Sequence, residues 1–406
     1  MNTFENLGLN SQLLAAIARL GFTEPTEIQE KSIPHIINGK DVIGESATGS
    51  GKTLAFGCGI MEQVIHKEGL QALVLTPTRE LAEQVKDALS ALANQKSLNI
   101  IAVYGGVSIN TQIKNLPWAD VVVATPGRLL DHLRRRTVNI SGIKLLVLDE
   151  ADRMLDMGFI NDVEQIIRAC PAKRQTLFFS ATILPSIKSL ANRHMKTPVE
   201  VLANNMVDPA KLKQVYFNIS RDMKISLLVH LLQSETSGLA MVFCNTRRST
   251  DFVVRSLRRS GTEAIAIHGG LSQNQRTRTI GLFNDAGVNI LVCTDVASRG
   301  LDIANVSHIY NYEIPKVPND YIHRIGRTAR AGEEGKVINL LSECDRDYFH
   351  RIRSEYRTFS IESMDTPEVK EIPAGKPGNY RPRAREQFHH RQNSHGQRHN
   401  NHSFRR

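Results

Sequence analysis

With 406 residues, 41% of them hydrophobic and 23% charged, the chain has the composition of a soluble globular protein of about two or three domains. Its five cysteines, 58, 170, 244, 293 and 344, form no C-x-x-C pair, which excludes a zinc ribbon and a disulfide framework and fits a reducing compartment. The net charge of +10 suggests a polyanionic partner, but from Lys376 onward eight Lys/Arg face one acid, Glu386, so the body of the chain is only mildly basic.

In chain order, Leu13, Leu14, Ile17 and Leu20 have helical spacing that stops at Gly21. The start of the chain lacks the basic and apolar regions of a leader peptide, and no apolar run approaches the ~20 residues of a membrane span, so a cytoplasmic protein is expected. Within Gly21–Gln29, Phe22 and Gln29 are an aromatic ring and a primary amide, a pair able to stack on adenine and read its edge. Alone that signal is weak.

The central stretch is Ser46-Ala47-Thr48-Gly49-Ser50-Gly51-Lys52-Thr53. The apolar Asp41–Gly44 run predicts a strand before it, and Leu54-Ala55-Phe56 opens a helical pattern behind it. Glycines at a strand-to-helix turn let backbone N–H groups close around phosphate oxygens, with Lys52 adding a charge and Thr53 a Mg²⁺ ligand. Ser46 stands where the general pattern has its first glycine.

Short apolar runs at 72–76, 100–104, 121–124, 145–148 and 176–179 alternate with helical patterns, which predicts a parallel sheet covered on both faces. Ligands of such sheets bind beyond the strands' carboxyl ends. There lie Asp149-Glu150-Ala151-Asp152, suited to hold Mg²⁺ through Asp149 and to activate water through Glu150, and Ser180-Ala181-Thr182, whose hydroxyls are expected to bond the preceding carboxylates. Arg79, Gly106, Thr125 and Arg128 follow other strands and offer the donors used on phosphate backbones.

The pattern breaks at 204–212, an expected linker, and resumes with strand-like runs at 215–219, 240–243, 264–267, 290–293, 307–310 and 337–340. This second half has no phosphate loop. It carries Gly270, Gln273, Arg276, Thr294, Asp302 and His323–Arg330, where Arg327 and Arg330, three apart, would share one face if that segment is helical, suited to reach a γ-phosphate held by the first half.

Taken together, these motifs resemble those of the DEAD-box RNA helicases, in the expected order from about Phe4 to about Ser342. The resemblance implies an α/β fold of two tandem RecA-like domains, 1–203 and 213–372, joined by the 204–212 linker and followed by a disordered basic tail, 373–406. It implies an ATP-dependent RNA helicase that grips the RNA backbone without sequence preference and uses Mg²⁺. Phe22, Gln29 and Ser46 to Thr53, including Ala47, Thr48, Gly49, Ser50 and Gly51, would hold ATP with Asp302 on the ribose. Lys52, Asp149, Glu150, Arg327 and Arg330 would be catalytic, with Thr53 and Asp149 on the metal. Ser180, Thr182 and Asp152 would couple hydrolysis to duplex opening, and Arg79, Gly106, Thr125, Arg128, Gly270 and Thr294 would line the RNA. Ribonucleoprotein or ribosome-assembly partners are compatible with this reading, and no membrane is expected. Ala329 departs from the family's common glycine, as Ser46 does from its usual small apolar residue. An ATP-gated clamp and a DNA-tracking motor would use the same residues.

The tail beyond 373 is rich in Arg, His, Asn, Gln and Gly, with scattered Tyr380, Phe388 and Phe404, the composition of either a merely solvated tail or a non-specific RNA tether. Deleting 374–406 is expected to weaken RNA binding and flatten its salt dependence while leaving RNA-saturated ATP turnover nearly intact. RNA titrations at several salt concentrations check this, and an unchanged slope refutes the tether.

Overall fold

The computed structural model describes residues 3–47, 49–203, 212–235, 238–298, 303, 306–329 and 334–372. Among these residues the strands build two seven-stranded sheets, each parallel throughout. In chain order the first sheet holds β1 (Val42–Glu45), β2 (Ala72–Leu75), β3 (Ile100–Val103), β4 (Val121–Ala124), β5 (Leu145–Leu148), β6 (Gln175–Ser180) and β7 (Val199–Leu202). Its spatial order is β3-β4-β2-β5-β6-β1-β7. The second holds β8 (Leu212–Asn218), β9 (Leu239–Cys244), β10 (Ile265–Ile267), β11 (Ile290–Thr294), β12 (Val306–Asn311), β13 (Gly335–Leu341) and β14 (Ile361–Met364), ordered β10-β11-β9-β12-β13-β8-β14.

The strands read as continuous apolar runs because helices cover both faces. Along β2, Ala72 and Val74 enter one core while Leu73 and Leu75 enter the other. The first core is closed by helices Ser11–Arg19, Glu27–Ile37, Lys52–Gln63 and Arg79–Leu92, and the second by Pro126–Arg134, Ile160–Ala169 and Pro185–His194. In the second sheet, Phe283, Tyr321, Ile325, Phe349 and Ile352 bring helices onto β9, β11 and β12.

Two edge strands escape the sequence pattern. β7 reads Val-Glu-Val-Leu and β14 Ile-Glu-Ser-Met, and each pairs on one side only, so each keeps polar side chains in solvent and lacks an apolar run. β8 begins at Leu212, inside the expected linker, because Leu212 pairs with Gly335. Residues 204–211 and the tail from 373 lie outside the described residues. No helix among the described residues is long and apolar enough to cross a membrane.

Because every strand runs the same way, the carboxyl ends of β1, β2, β4, β5 and β6 share one edge of the first sheet. The candidate residues fall on that edge.

Candidate active site and RNA-facing edge

The turn after β1 is anchored where the Ser46 N–H donates to Ser180 O at 3.0 Å. Gly49 (φ 85°) and Gly51 (φ 93°) adopt the left-handed backbone that the turn into helix Lys52–Gln63 requires. Gly51 has a second constraint, since a Cβ there would lie 2.2 Å from Gln29 Nε2. That amide donates to Gly51 O at 3.0 Å, while Gln29 Oε1 accepts from Thr26 N and the Thr26 hydroxyl donates to Ser50 O. Gln29 is thus buried against the loop through a capping box, and Phe22 beside it is 47% exposed, leaving a ring face open.

Lys52 is buried, its ammonium donating to Ser46 O (2.7 Å) and Ala47 O (3.0 Å). The Ser46 hydroxyl bonds that of Ser50 at 2.8 Å, and Thr53 is half-buried on the first turn of the helix. Thr48 lies outside the described residues.

At the end of β5, burial pushes the Asp149 carboxyl up to about 7, against the opposing pull of the Lys52 charge. Glu150 holds a left-handed backbone (φ 52°, ψ 53°), unusual for a residue with a side chain, and its Oε2 is buried without a hydrogen-bond partner. Asp152 has 0% exposure; its Oδ2 accepts from the Thr182 N–H (3.2 Å) and hydroxyl (3.1 Å). Ser180 departs from the expectation that both hydroxyls bond carboxylates. Its Oγ accepts from the Asp152 N–H and donates to Thr182 O, so it fixes backbone rather than charge.

The second half meets this edge at three points. His323 Nε2 lies 3.9 Å from Asp152 Oδ2, and Arg153 Nη1 lies 3.4 Å from Asp320 Oδ1. Arg276 Nε donates to Glu80 Oε1 at 2.7 Å, with Gln273 Nε2 at 3.3 Å from the same oxygen. Arg327 is buried and lines, with Arg153, Asp295, Ser298, His323 and Arg324, a small cavity at this junction. The condition for a shared helix face is not met at Arg327: helix Pro318–Ile325 ends at Gly326, and Arg327 sits in the turn that follows, its N–H bonded to Arg324 O. Arg330 and Asp302 lie outside the described residues. Ala329 takes a left-handed backbone (φ 52°), the conformation in which a glycine is unstrained.

On the same edge, the Arg79 guanidinium lies on Gly106, where a Cβ would be 1.9 Å from Nη1. Thr125 N donates to Val103 O, and the Arg128 Nη1 and Nη2 donate to Val107 O at 3.2 and 3.3 Å. In the second half, Gly270 is exposed, its N–H bonded to His268 Nδ1, and Thr294 is buried at the end of β11. The first-half residues therefore form one track; Gly270 and Thr294 end separate strand loops of the second sheet.

Residues 26–190 match the family model of the DEAD/DEAH box helicases, and 223–332 match that of the helicase conserved C-terminal domain. The DEAD-box ATP-dependent RNA helicase CshA of Geobacillus kaustophilus is 42% identical over 93% of this chain and 81% of its own. The chain belongs to the DEAD-box ATP-dependent RNA helicases. The ATP-dependent RNA helicase CshA of Listeria monocytogenes is also 42% identical, over 93% of this chain and 73% of its own. Among solved structures, S. cerevisiae Dbp5 bound to RNA and ADP BeF3 superposes with a TM-score of 0.83 at 30% identity, covering 90% of this chain and 96% of that one.

One residue of this helicase that its sequence motifs leave without a role is Arg324, fully buried between His323 and Arg327. Its guanidinium holds Asp295 through two bonds (2.6 and 2.7 Å), donates to Asn311 Oδ1, Asn245 Oδ1 and Glu313 O, and lies over the Phe243 ring. No signal short of the fold shows this, because its partners are 11 to 79 residues away in sequence. Arg324→Ala strands the Asp295 carboxylate and is expected to cost about 3–5 kcal/mol of stability, read by urea unfolding. Lysine, lacking the fork, should recover less than half.

Proposed function

We propose that the two halves close over one ATP and one RNA strand, so that RNA binding assembles the hydrolytic site and hydrolysis releases it. This would make the protein an RNA-dependent ATPase that locally unwinds short duplexes or remodels RNA–protein complexes in the cytoplasm. The observation that carries the reading is the junction of Asp152 and Arg153 with His323 and Asp320, which joins the carboxylate-bearing turn of one sheet to the arginine-bearing helix of the other.

In this reading Phe22 stacks on the adenine and Gln29 reads its edge, the loop from Ser46 to Gly51 wraps the phosphates, and Lys52 leaves its carbonyl partners to meet them. Asp302 would meet the ribose. The donors near Lys52 would fit Mg²⁺: the Asp149 carboxylate, whose charge is felt by Lys52, and the Thr53 hydroxyl on the first turn of helix Lys52–Gln63 are oxygen ligands of the kind that ion takes together with substrate phosphates. Bound there, Mg²⁺ would neutralise phosphate charge. Glu150, with a buried unpartnered oxygen, is placed to orient and deprotonate the attacking water. Arg327, with Arg330, would meet the charge developing on the γ-phosphate. Asp152, Ser180 and Thr182 would transmit closure. Arg79, Gly106, Thr125, Arg128, Gly270 and Thr294 would grip sugar and phosphate, which gives affinity without base preference.

The test is ATP turnover with and without single-stranded RNA, alongside strand displacement on a short overhung duplex. Glu150→Gln is expected to lower RNA-stimulated turnover by about 100-fold or more while ATP and RNA still bind. Stimulation by DNA as strong as by RNA would overturn the RNA assignment.

A pH dependence follows from Asp149. Its carboxyl, raised from 3.8 to about 7 by burial, adds stability below pH 3.8 that is lost as the pH rises through 7, while ion binding needs the proton gone. At limiting Mg²⁺, turnover should therefore climb between about pH 6 and 8, and saturating Mg²⁺ should flatten the climb. Without nucleotide, Asp149→Asn should melt several degrees higher than the parent at pH 8, a gain that shrinks towards pH 4.

A further inference from the structure

Behind the first-half track lies a buried amide that none of the helicase motifs contains. Gln112, on helix Ile109–Asn115, is buried. Its Nε2 donates to Tyr104 O at 2.9 Å, and its Oε1 accepts from Arg128 Nη1 and from His132 Nε2, both at 3.0 Å. The orientation of the amide is fixed by its neighbours. An arginine can only donate and a carbonyl can only accept, so the oxygen must face Arg128 and the nitrogen must face Tyr104. His132, with no exposed surface, must then carry its proton on Nε2, leaving Nδ1 to accept from the Thr137 hydroxyl at 2.8 Å.

This amide fixes both ends of the turn that carries Gly105 and Gly106. Tyr104 O, before the glycines, is held by Gln112 directly; Val107 O, after them, is held by Arg128. It also fixes Arg128 itself. The end of the guanidinium is spent on Val107 O and one further Nη1–H on Gln112. The Nε–H and the other Nη2–H have no hydrogen-bond partner among the described residues. Those two form the side fork of the guanidinium, a shape that takes two oxygens of one phosphate.

We propose that Gln112, held by His132, is a positioning residue that aims the free fork of Arg128 at an RNA phosphate and sets the Gly105-Gly106 turn beside it, without touching RNA itself. The inference rests on the reading of Arg128 as an RNA-backbone contact. A mispositioned fork loses one phosphate contact, so the effect belongs to RNA affinity and its salt dependence rather than to the chemistry of ATP.

Gln112→Met keeps the volume and removes the three bonds. RNA titrations of ATPase stimulation in the full chain should show the half-saturating RNA concentration rising about five- to tenfold, and the log–log salt slope falling by roughly one contact. RNA-saturated turnover and the KM for ATP should stay within about twofold of the parent, since no bond of Gln112 reaches the nucleotide loop. Gln112→Glu, which keeps an oxygen towards Arg128 and His132, should lie closer to the parent than to the methionine variant. In an Arg128→Ala background, Gln112→Met should add little, because both changes remove the same contact.

Additive effects, an unchanged salt slope, or a loss confined to saturated turnover and thermal stability would overturn the positioning role. If Arg128→Ala alone leaves RNA affinity unchanged, the backbone-track reading fails. If Arg128→Ala weakens RNA and Gln112→Met does not, only the present inference fails.

Discussion

A carboxylate with no exposed surface has to be bonded or neutralised, because an unpaired buried charge costs several kcal/mol. Asp152 meets that demand within the first half: Oδ2 accepts from the Thr182 backbone and hydroxyl at the end of β6 and Oδ1 from the Arg153 N–H, while His323 Nε2 of the second half lies 3.9 Å from Oδ2 without a hydrogen bond to it. The turn after β5 and the turn after β6 are therefore tied to one carboxylate, and helix Pro318–Ile325 packs beside it. A displacement of either turn would change the solvation of Asp152, which is the physical basis of the coupling role proposed for it.

Two buried clusters of charge differ. In the second, Arg324 is saturated by carboxylate, amide and carbonyl partners, and Lys224 is paired with Asp345 at 2.8 Å. In the first, Asp149 is pushed towards neutrality, Glu150 sits in a left-handed conformation worth roughly 1–3 kcal/mol of strain, and one of its oxygens lacks a partner. The deficit lies at the end of one strand, flanked by the loop that carries Lys52. In the proposed reading, stability forgone there would be the counterpart of groups kept ready for a substrate and an ion.

Much of this was legible in the sequence for a physical reason. Parallel strands buried on both faces write themselves as apolar runs, and the residue after each run falls on the ligand-binding edge, so motif and strand locate each other. Asp149 after β5, Ser180 at the end of β6 and Lys52 after β1 were placed that way. β7 and β14 were missed because an edge strand needs no apolar alternation. The shared helix face expected for Arg327 and Arg330 was missed because a chain turn at Gly326 is a local event that spacing alone does not report. Arg324 and Gln112 were illegible in a different sense: their meaning lies wholly in partners distant along the chain. A buried glutamine at helical spacing looks like any surface glutamine until the fold shows what closes over it.

The arrangement also explains how grip and closure can share energy without sharing atoms. Arg79 and Glu80 are consecutive on the first turn of helix Arg79–Leu92, and neighbours on a helix point about 100° apart. Arg79 lies on Gly106 along the track proposed to face RNA, whereas Glu80 accepts from Arg276 of the second half. In the proposed reading, a strand held by the first residue would fix the turn that presents the second, and a second half docked on Glu80 would fix the turn that presents Arg79. Each event lowers the ordering cost of the other, which is the thermodynamic content of cooperative binding. The coupling runs through one helical turn, so it would persist even where the ATP loop is empty, with nucleotide adding a further bias at Asp152 on the same edge.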